Sequence, residues 1–127
     1  MGSNRIVLMS NIEPYVHERS KRGIKCRVPA GGLVAALDPV MRMTGGTWIA
    51  WGSGSADMET SGPEGRIQVP VEDPRYTLRR IWLTTKEVAD YYYGFSNRVI
   101  WPVCHMFQEN ALFEKEYWET YKKVNAK

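Results

Sequence analysis

Tyr91, Tyr92, Tyr93, Phe95, Asn97, Arg98, Trp101 and His105 crowd into a single stretch of the chain. Phenolic hydroxyls and an indole N–H point in fixed directions, can hydrogen-bond the hydroxyls of a sugar or another polyol, and lose little rotamer freedom on binding. Gly94 and Pro102 interrupt the run where an ordinary core segment would carry aliphatic residues. Two readings follow from the residues alone. The stretch is either a corner between helices whose rings pack inward, or the wall of a polyol pocket.

The elements that must position these rings can be read from pattern and punctuation. Thr84-Thr85-Lys86-Glu87 is similar to a capping box and predicts a helix start. That helix is expected to run to about Tyr93 and stop at Gly94, with Ser96 capping a second helix that Pro102 ends or kinks at Trp101. Tyr92 and Trp101 would then stand on two short helices meeting at a glycine corner. Upstream, Arg5–Met9 reads as a buried parallel strand opening at Ser10-Asn11 into a loop over 12–29. Pro29-Ala30-Gly31-Gly32-Leu33 leads into a helix that Pro39 interrupts. Strand, loop, glycine pair and helix let backbone N–H groups approach a phosphate closely, although a glycine pair also marks many plain turns.

Thr47–Trp51 reads as the next strand. Trp48 and Trp51 are three residues apart and fall on opposite faces of it, so only one of them can line a pocket. Residues 52–65 read as an exposed loop. Arg66–Pro70 and Tyr76–Leu83 read as short strands, antiparallel or at the sheet edge, turning at Glu72-Asp73-Pro74. Near the end, Leu112, Phe113, Tyr117, Trp118, Tyr121 and Val124 recur at helical spacing. A helix so rich in rings needs a partner, the preceding segments supply no evident one, and self-association is one way to provide it.

The 127 residues allow one domain, and 43% hydrophobic with 24% charged residues is the balance of an ordinary globular chain. No apolar run reaches a membrane span and no apolar signal core follows Met1, so a cytoplasmic protein without a membrane partner is expected. The net charge of +3 and the short cluster Glu18–Arg22 are too little to argue for nucleic acid. Cys26 and Cys104 form no ligand cluster, which predicts no disulfide and no metal. Of the histidines, His17 reads as solvent-exposed in a basic loop, and His105 as a hydrogen-bonded structural residue. No paired carboxylates suggest hydrolysis. Met41 and Met43 read as core filler around the glycine-led helix.

Asp90-Tyr-Tyr-Tyr-Gly-Phe-Ser-Asn97, with Val99-Ile-Trp-Pro102 and His105, is similar to the Tyr-Tyr-x-x-Phe-Ser-Asn-x-x-Leu-Trp-Pro-x-x-His signature of trehalose-6-phosphate synthases. The similarity continues in order through Ser10-Asn11, Ala30–Leu33, Trp48–Trp51, Tyr117-Trp118 and Val124-Asn125. It covers nearly all of these residues and about the first quarter of a family member. The resemblance implies an α/β fold: part of the Rossmann-like N-terminal domain of a GT-B-type retaining glucosyltransferase, with an irregular or antiparallel edge to its sheet. It implies that residues 1–127 are the acceptor-side portion of that domain, with the donor-binding domain and a C-terminal part of the synthase outside them. Its implied partners are a nucleotide-glucose donor, UDP-glucose, and the acceptor glucose 6-phosphate, with no cofactor and no catalytic residue in this chain. Residue by residue, it places Tyr92 and Trp101 at the acceptor, Trp51 on a wall of the same cleft, and Gly31 and Gly32 against the donor diphosphate.

One position departs from the pattern. The family motif reads Ser-Asn-Arg and its arginine helps to bind the acceptor phosphate, but this chain has Ile12. An aliphatic side chain cannot replace a bidentate guanidinium, a loss of about 1.5–3 kcal/mol. Two further functions therefore stay open: a non-catalytic module that keeps a sugar-phosphate pocket, and a related transferase with another polyol acceptor.

Overall fold

The structure, a computed structural model, describes residues 5–104 and 114–127, which form two compact units divided between Trp82 and Leu83. His105, Leu112 and Phe113 lie outside the described residues.

The first unit is an open sheet with a separate hairpin. Strands β1 (Val7–Met9), β4 (Thr47–Trp51), β6 (Tyr76–Ile81) and β5 (Arg66–Val69) lie side by side in that order. β1, β4 and β6 are parallel, and β5 closes the edge antiparallel to β6, as the sequence pattern predicts. Alternation sets the buried face: Trp48 and Ala50 of β4, and Tyr76, Leu78 and Arg80 of β6, face inward. Trp48 pairs in register with Leu78 and stacks on Tyr76 at 6.2 Å between ring centres. Val34 and Met41 of helix α1 (Gly32–Thr44) complete the core with Tyr15 and Val69. Each large side chain removed from water there contributes roughly 1.5–3 kcal/mol. Met43 is exposed rather than core filler, because it is two positions along a helix from Met41 and so turns to another side.

Residues 12–29 are not the loop that their missing periodicity suggests. They hold the antiparallel hairpin β2 (Val16–Ser20) and β3 (Gly23–Arg27), paired from Val16↔Arg27 to Ser20↔Gly23. Lys21 and Arg22 make its turn, and Gly23 takes φ 109°, a left-handed conformation natural to glycine. Each strand carries two charged residues, Glu18 and Arg19 or Lys25 and Arg27, and all of β3 is exposed, so no apolar alternation announces it. The 52–65 segment is likewise more than an exposed loop. It contains the short helix α2 (Asp57–Thr60), a 3₁₀ turn at Pro63–Gly65, and the fully buried Ala56 and Asp57.

The second unit is a helical pair. Thr84 caps α3 (Thr85–Val88): its hydroxyl accepts from the Glu87 N–H at 3.1 Å, and the Glu87 carboxylate accepts from the Thr84 N–H at 3.0 Å. The helix then continues without a stop through a π-helical run, Ala89–Ile100, into α4 (Trp101–Cys104). Gly94 does not end it, Ser96 does not cap a new one, and Pro102 does not break it. The Trp101 N–H donates to the Ser96 carbonyl, the i→i+5 pattern of a π turn. Gly94 serves packing instead: a Cβ there would lie 2.9 Å from the Tyr117 ring of α5 (Lys115–Asn125). Phe95 meets Tyr121 at 4.7 Å and Trp118 at 5.2 Å, and Tyr91 meets Tyr121 at 5.4 Å. The aromatic stripe of α5 therefore has its partner within the chain, which removes the reason for expecting self-association through it.

Candidate functional site

In the first unit, the carboxyl edge of the parallel strands is built from the segments after β1 and β4. Ser10 donates its backbone N–H to the Ile49 carbonyl at 3.0 Å, and Gly52 does the same to Ile81 at 2.9 Å. The Ser10 hydroxyl accepts from the Trp48 indole at 2.8 Å and donates to the Ile12 carbonyl at 2.6 Å, fixing how the chain leaves β1. The Ile12 side chain packs against the apolar core. Trp51 ends β4 half-buried, on the opposite face from the fully buried Trp48, as the three-residue spacing requires.

Helix α1 is entered through Gly31, at φ 139°, and begins at Gly32. No side chain caps this end and its first turn holds no acidic residue. A Cβ at Gly31 or Gly32 would meet no atom within 4 Å, so the backbone is open on that side. Because α1 passes into β4 through only Gly45 and Gly46, its amino end lies about 20 Å along the helix from the β4 entry. In a strand–helix–strand unit that is the edge where open α/β sheets place ligands.

Tyr92 and Trp101 belong to the second unit, on one continuous helix rather than across a glycine corner. Nine residues are about two and a half turns of an α-helix and would set them on opposite sides. The wider π turns between them reduce that separation. Trp101 is 53% exposed and Tyr92 half-buried in edge-on contact with Tyr93 at 5.1 Å. Of the rings in this stretch, Tyr91 and Phe95 pack inward, as the first reading expects but without its corner, while Trp101 faces outward.

The sequence reading missed a buried ionic cluster in the first unit. Arg80 of β6 has no exposed side-chain surface. Its Nε donates to Glu13 at 2.8 Å, Nη1 to Thr60, Ser61 and the Asp57 carbonyl, and Nη2 to the Tyr15 carbonyl at 2.9 Å and His17 Nδ1 at 2.7 Å. Nη2 also lies 3.1 Å from an Asp57 carboxylate oxygen. Asp57 accepts from the backbone N–H groups of His17 at 2.8 Å and Gly54 at 2.7 Å. His17 is therefore buried, not exposed as expected, and its Nδ1 is an unprotonated acceptor of an arginine proton. Burial, then the nearby Arg80 charge, lowers its pKa.

The two carboxyls of the cluster divide their roles. Burial first, then a hydrogen bond with Asp57, pushes Glu13 up to about 8, so it stays protonated at neutral pH. Burial pulls Asp57 the same way. The hydrogen bonds from Glu13, His17 and Gly54 and the Arg80 charge outweigh it and hold Asp57 below the usual carboxylate range. With Arg80 positive, Asp57 negative, and Glu13 and His17 uncharged, the cluster is neutral and fully hydrogen-bonded around its cation. That arrangement fixes loops; it offers no free nucleophile. One signal was readable, since Arg80 has the same parity as Tyr76 and Leu78 and must share their inward face.

Among the described residues no cluster of histidine, cysteine or carboxylate side chains could hold a metal, and no helix is long and apolar enough to cross a membrane. The fold is that of an open α/β sheet of Rossmann-like character with an antiparallel edge strand. Residues 3–127 match glycosyltransferase family 20, and the chain belongs to that family. It is 32% identical to the trehalose-6-phosphate synthase of Mycobacterium sp. (strain KMS) over 127 residues, covering 99% of this chain and 24% of the relative. It is 34% identical to the Mycobacterium tuberculosis (strain CDC 1551 / Oshkosh) synthase over 131 residues, covering 99% and 25%. The solved trehalose-6-phosphate protein from E. coli bound with UDP-2-fluoro glucose superposes with a TM-score of 0.64 at 28% identity, covering 97% of this chain and 23% of that one. A UDP-forming alpha,alpha-trehalose-phosphate synthase from Burkholderia xenovorans in complex with glucose-6-phosphate gives 0.66 at 26%, covering 97% and 24%. The chain thus spans about a quarter of the length of these relatives.

Proposed function

We propose that this chain is the acceptor-side, N-terminal portion of a trehalose-6-phosphate synthase, working with the rest of the enzyme in the cytoplasm. The reaction is transfer of glucose from UDP-glucose to glucose 6-phosphate with retention. The observation that carries this reading is the superposition of 97% of the chain on a relative solved with glucose-6-phosphate. The exposed thiols of Cys26 and Cys104 suit a reducing compartment.

In this reading Tyr92 and Trp101 hold the acceptor's hydroxyls and ring face, and Trp51 is a further acceptor-side candidate. Gly31 and Gly32 present the open backbone of the α1 start to the donor diphosphate, whose negative charge the helix end favours. Stabilisation of the departing diphosphate falls to groups outside these residues, so the chain by itself does not turn over. The packing of Ile12 against the core favours a second reading, a related transferase whose acceptor is another polyol.

Calorimetric titration with glucose 6-phosphate tests the acceptor assignment. Trp101→Ala is expected to weaken binding at least tenfold while leaving the melting temperature nearly unchanged, because the ring is more than half exposed. Binding that ignores Trp101→Ala and Tyr92→Phe would move the acceptor elsewhere.

A further inference from the structure

A cleft of about 320 Å³ opens at the root of the hairpin, lined by Ile24, Cys26 and Val28 from β3 and its exit and by Val71 and Glu72 from the turn after β5. Tyr15 and His17 form its floor side. Ile24, Val28 and Val71 are all exposed aliphatic residues, gathered around one opening rather than scattered. His17 pairs in register with Cys26, so the two side chains stand on the same face of the hairpin.

His17 gives this cleft its polarity. The residue is only 6% exposed, and Arg80 occupies Nδ1 as an acceptor, which leaves the proton on Nε2. Nε2–H has no hydrogen-bond partner among the described residues. The floor thus offers a single neutral donor, and Glu72 at the rim offers a carboxylate acceptor. A hydroxyl can use both, accepting from one and donating to the other. Glu72 repels an anion, and the apolar walls leave a strongly hydrated polyol poorly matched.

We propose that the hairpin cleft is a binding site for a small amphipathic alcohol, with an apolar body against Ile24, Val28 and Val71 and a hydroxyl between His17 Nε2–H and the Glu72 carboxylate. Its volume lies at the lower end of the range for small-molecule sites. His17 also joins the cleft to Arg80, so an occupant is sensed by the cluster that holds the loop after β1.

NMR titration of the 127-residue chain with benzyl alcohol tests this. Saturable shifts are expected at the His17 imidazole and at the Cys26 and Val71 amides. Glu72→Gln should weaken binding about three- to tenfold. Val71→Arg, which covers the opening and pairs with Glu72, should abolish it. Both positions are exposed, so these variants fold even if a change at His17 does not. Non-saturable shifts, or binding unaffected by both variants, would overturn the site. Shifts at these residues that track protein concentration without benzyl alcohol would also overturn it, making the cleft a contact between copies.

Discussion

Arg80 anchors the first unit because its guanidinium ties together separate segments: Glu13 and Tyr15 between β1 and β2, His17 on β2, and Asp57 to Ser61 around α2. Removing it would leave Asp57 buried without its cation, and Arg80→Met is expected to cost about 3–5 kcal/mol, read as a fall in the urea midpoint. Arg80→Lys should recover little, since a point ammonium cannot serve that fork of acceptors. Glu13 makes a second prediction. Its folded pKa, about 8, stands above the ordinary 4.5, so the folded state holds a proton that the unfolded state releases. The corresponding stability is fully present below pH 4.5 and is lost as pH rises toward 8. Glu13→Gln, which keeps the neutral form, should flatten that decline in melting temperature between pH 5 and 8; an unchanged slope would show that Glu13 is ionised throughout. Sequence periodicity could flag Arg80 but not its partners. Glu13, His17 and Asp57 lie in segments without apolar alternation and meet only in three dimensions.

At the scale of elements, the sequence was legible where burial imposes a period and illegible where polar chemistry replaces it. β4, β5 and β6 followed from alternation and the start of α3 from its capping box, whereas the charged hairpin β2–β3 carried no such mark. Gly94 misled for a different reason. A glycine inside a helical pattern reads as a stop, but here its missing Cβ admits the Tyr117 ring. Gly94→Ala should therefore destabilise the second unit by about 1–3 kcal/mol through overpacking, more than the roughly 1 kcal/mol that alanine gains in helix propensity. In a Tyr117→Ala background the same substitution should become neutral or stabilising. Equal effects in both backgrounds, measured by denaturation in a double-mutant cycle, would show that the ring is not what Gly94 accommodates.

Considered whole, the chain carries a glycine-led helix, an exposed tryptophan at the start of α4 just past a π-helical run, and a braced loop after β1, within a family match that covers nearly all of it and a quarter of its relatives. Of the candidate site, the residue types were legible from motif, but the continuous helix that carries Tyr92 and Trp101 was not. Ile12 sets a specific expectation here. If the acceptor is glucose 6-phosphate, Ile12→Arg should raise its affinity about tenfold or more by adding a charge-assisted contact, and no change would point to another acceptor. The most direct test of the central assignment is an assay of UDP release and trehalose 6-phosphate formation from UDP-glucose and glucose 6-phosphate. It compares the protein purified from its source, with every polypeptide that accompanies it, against the 127 residues alone. Product from the first and none from the second is the expected result. Absence of product from the native preparation, or turnover by the isolated chain, would contradict the assignment.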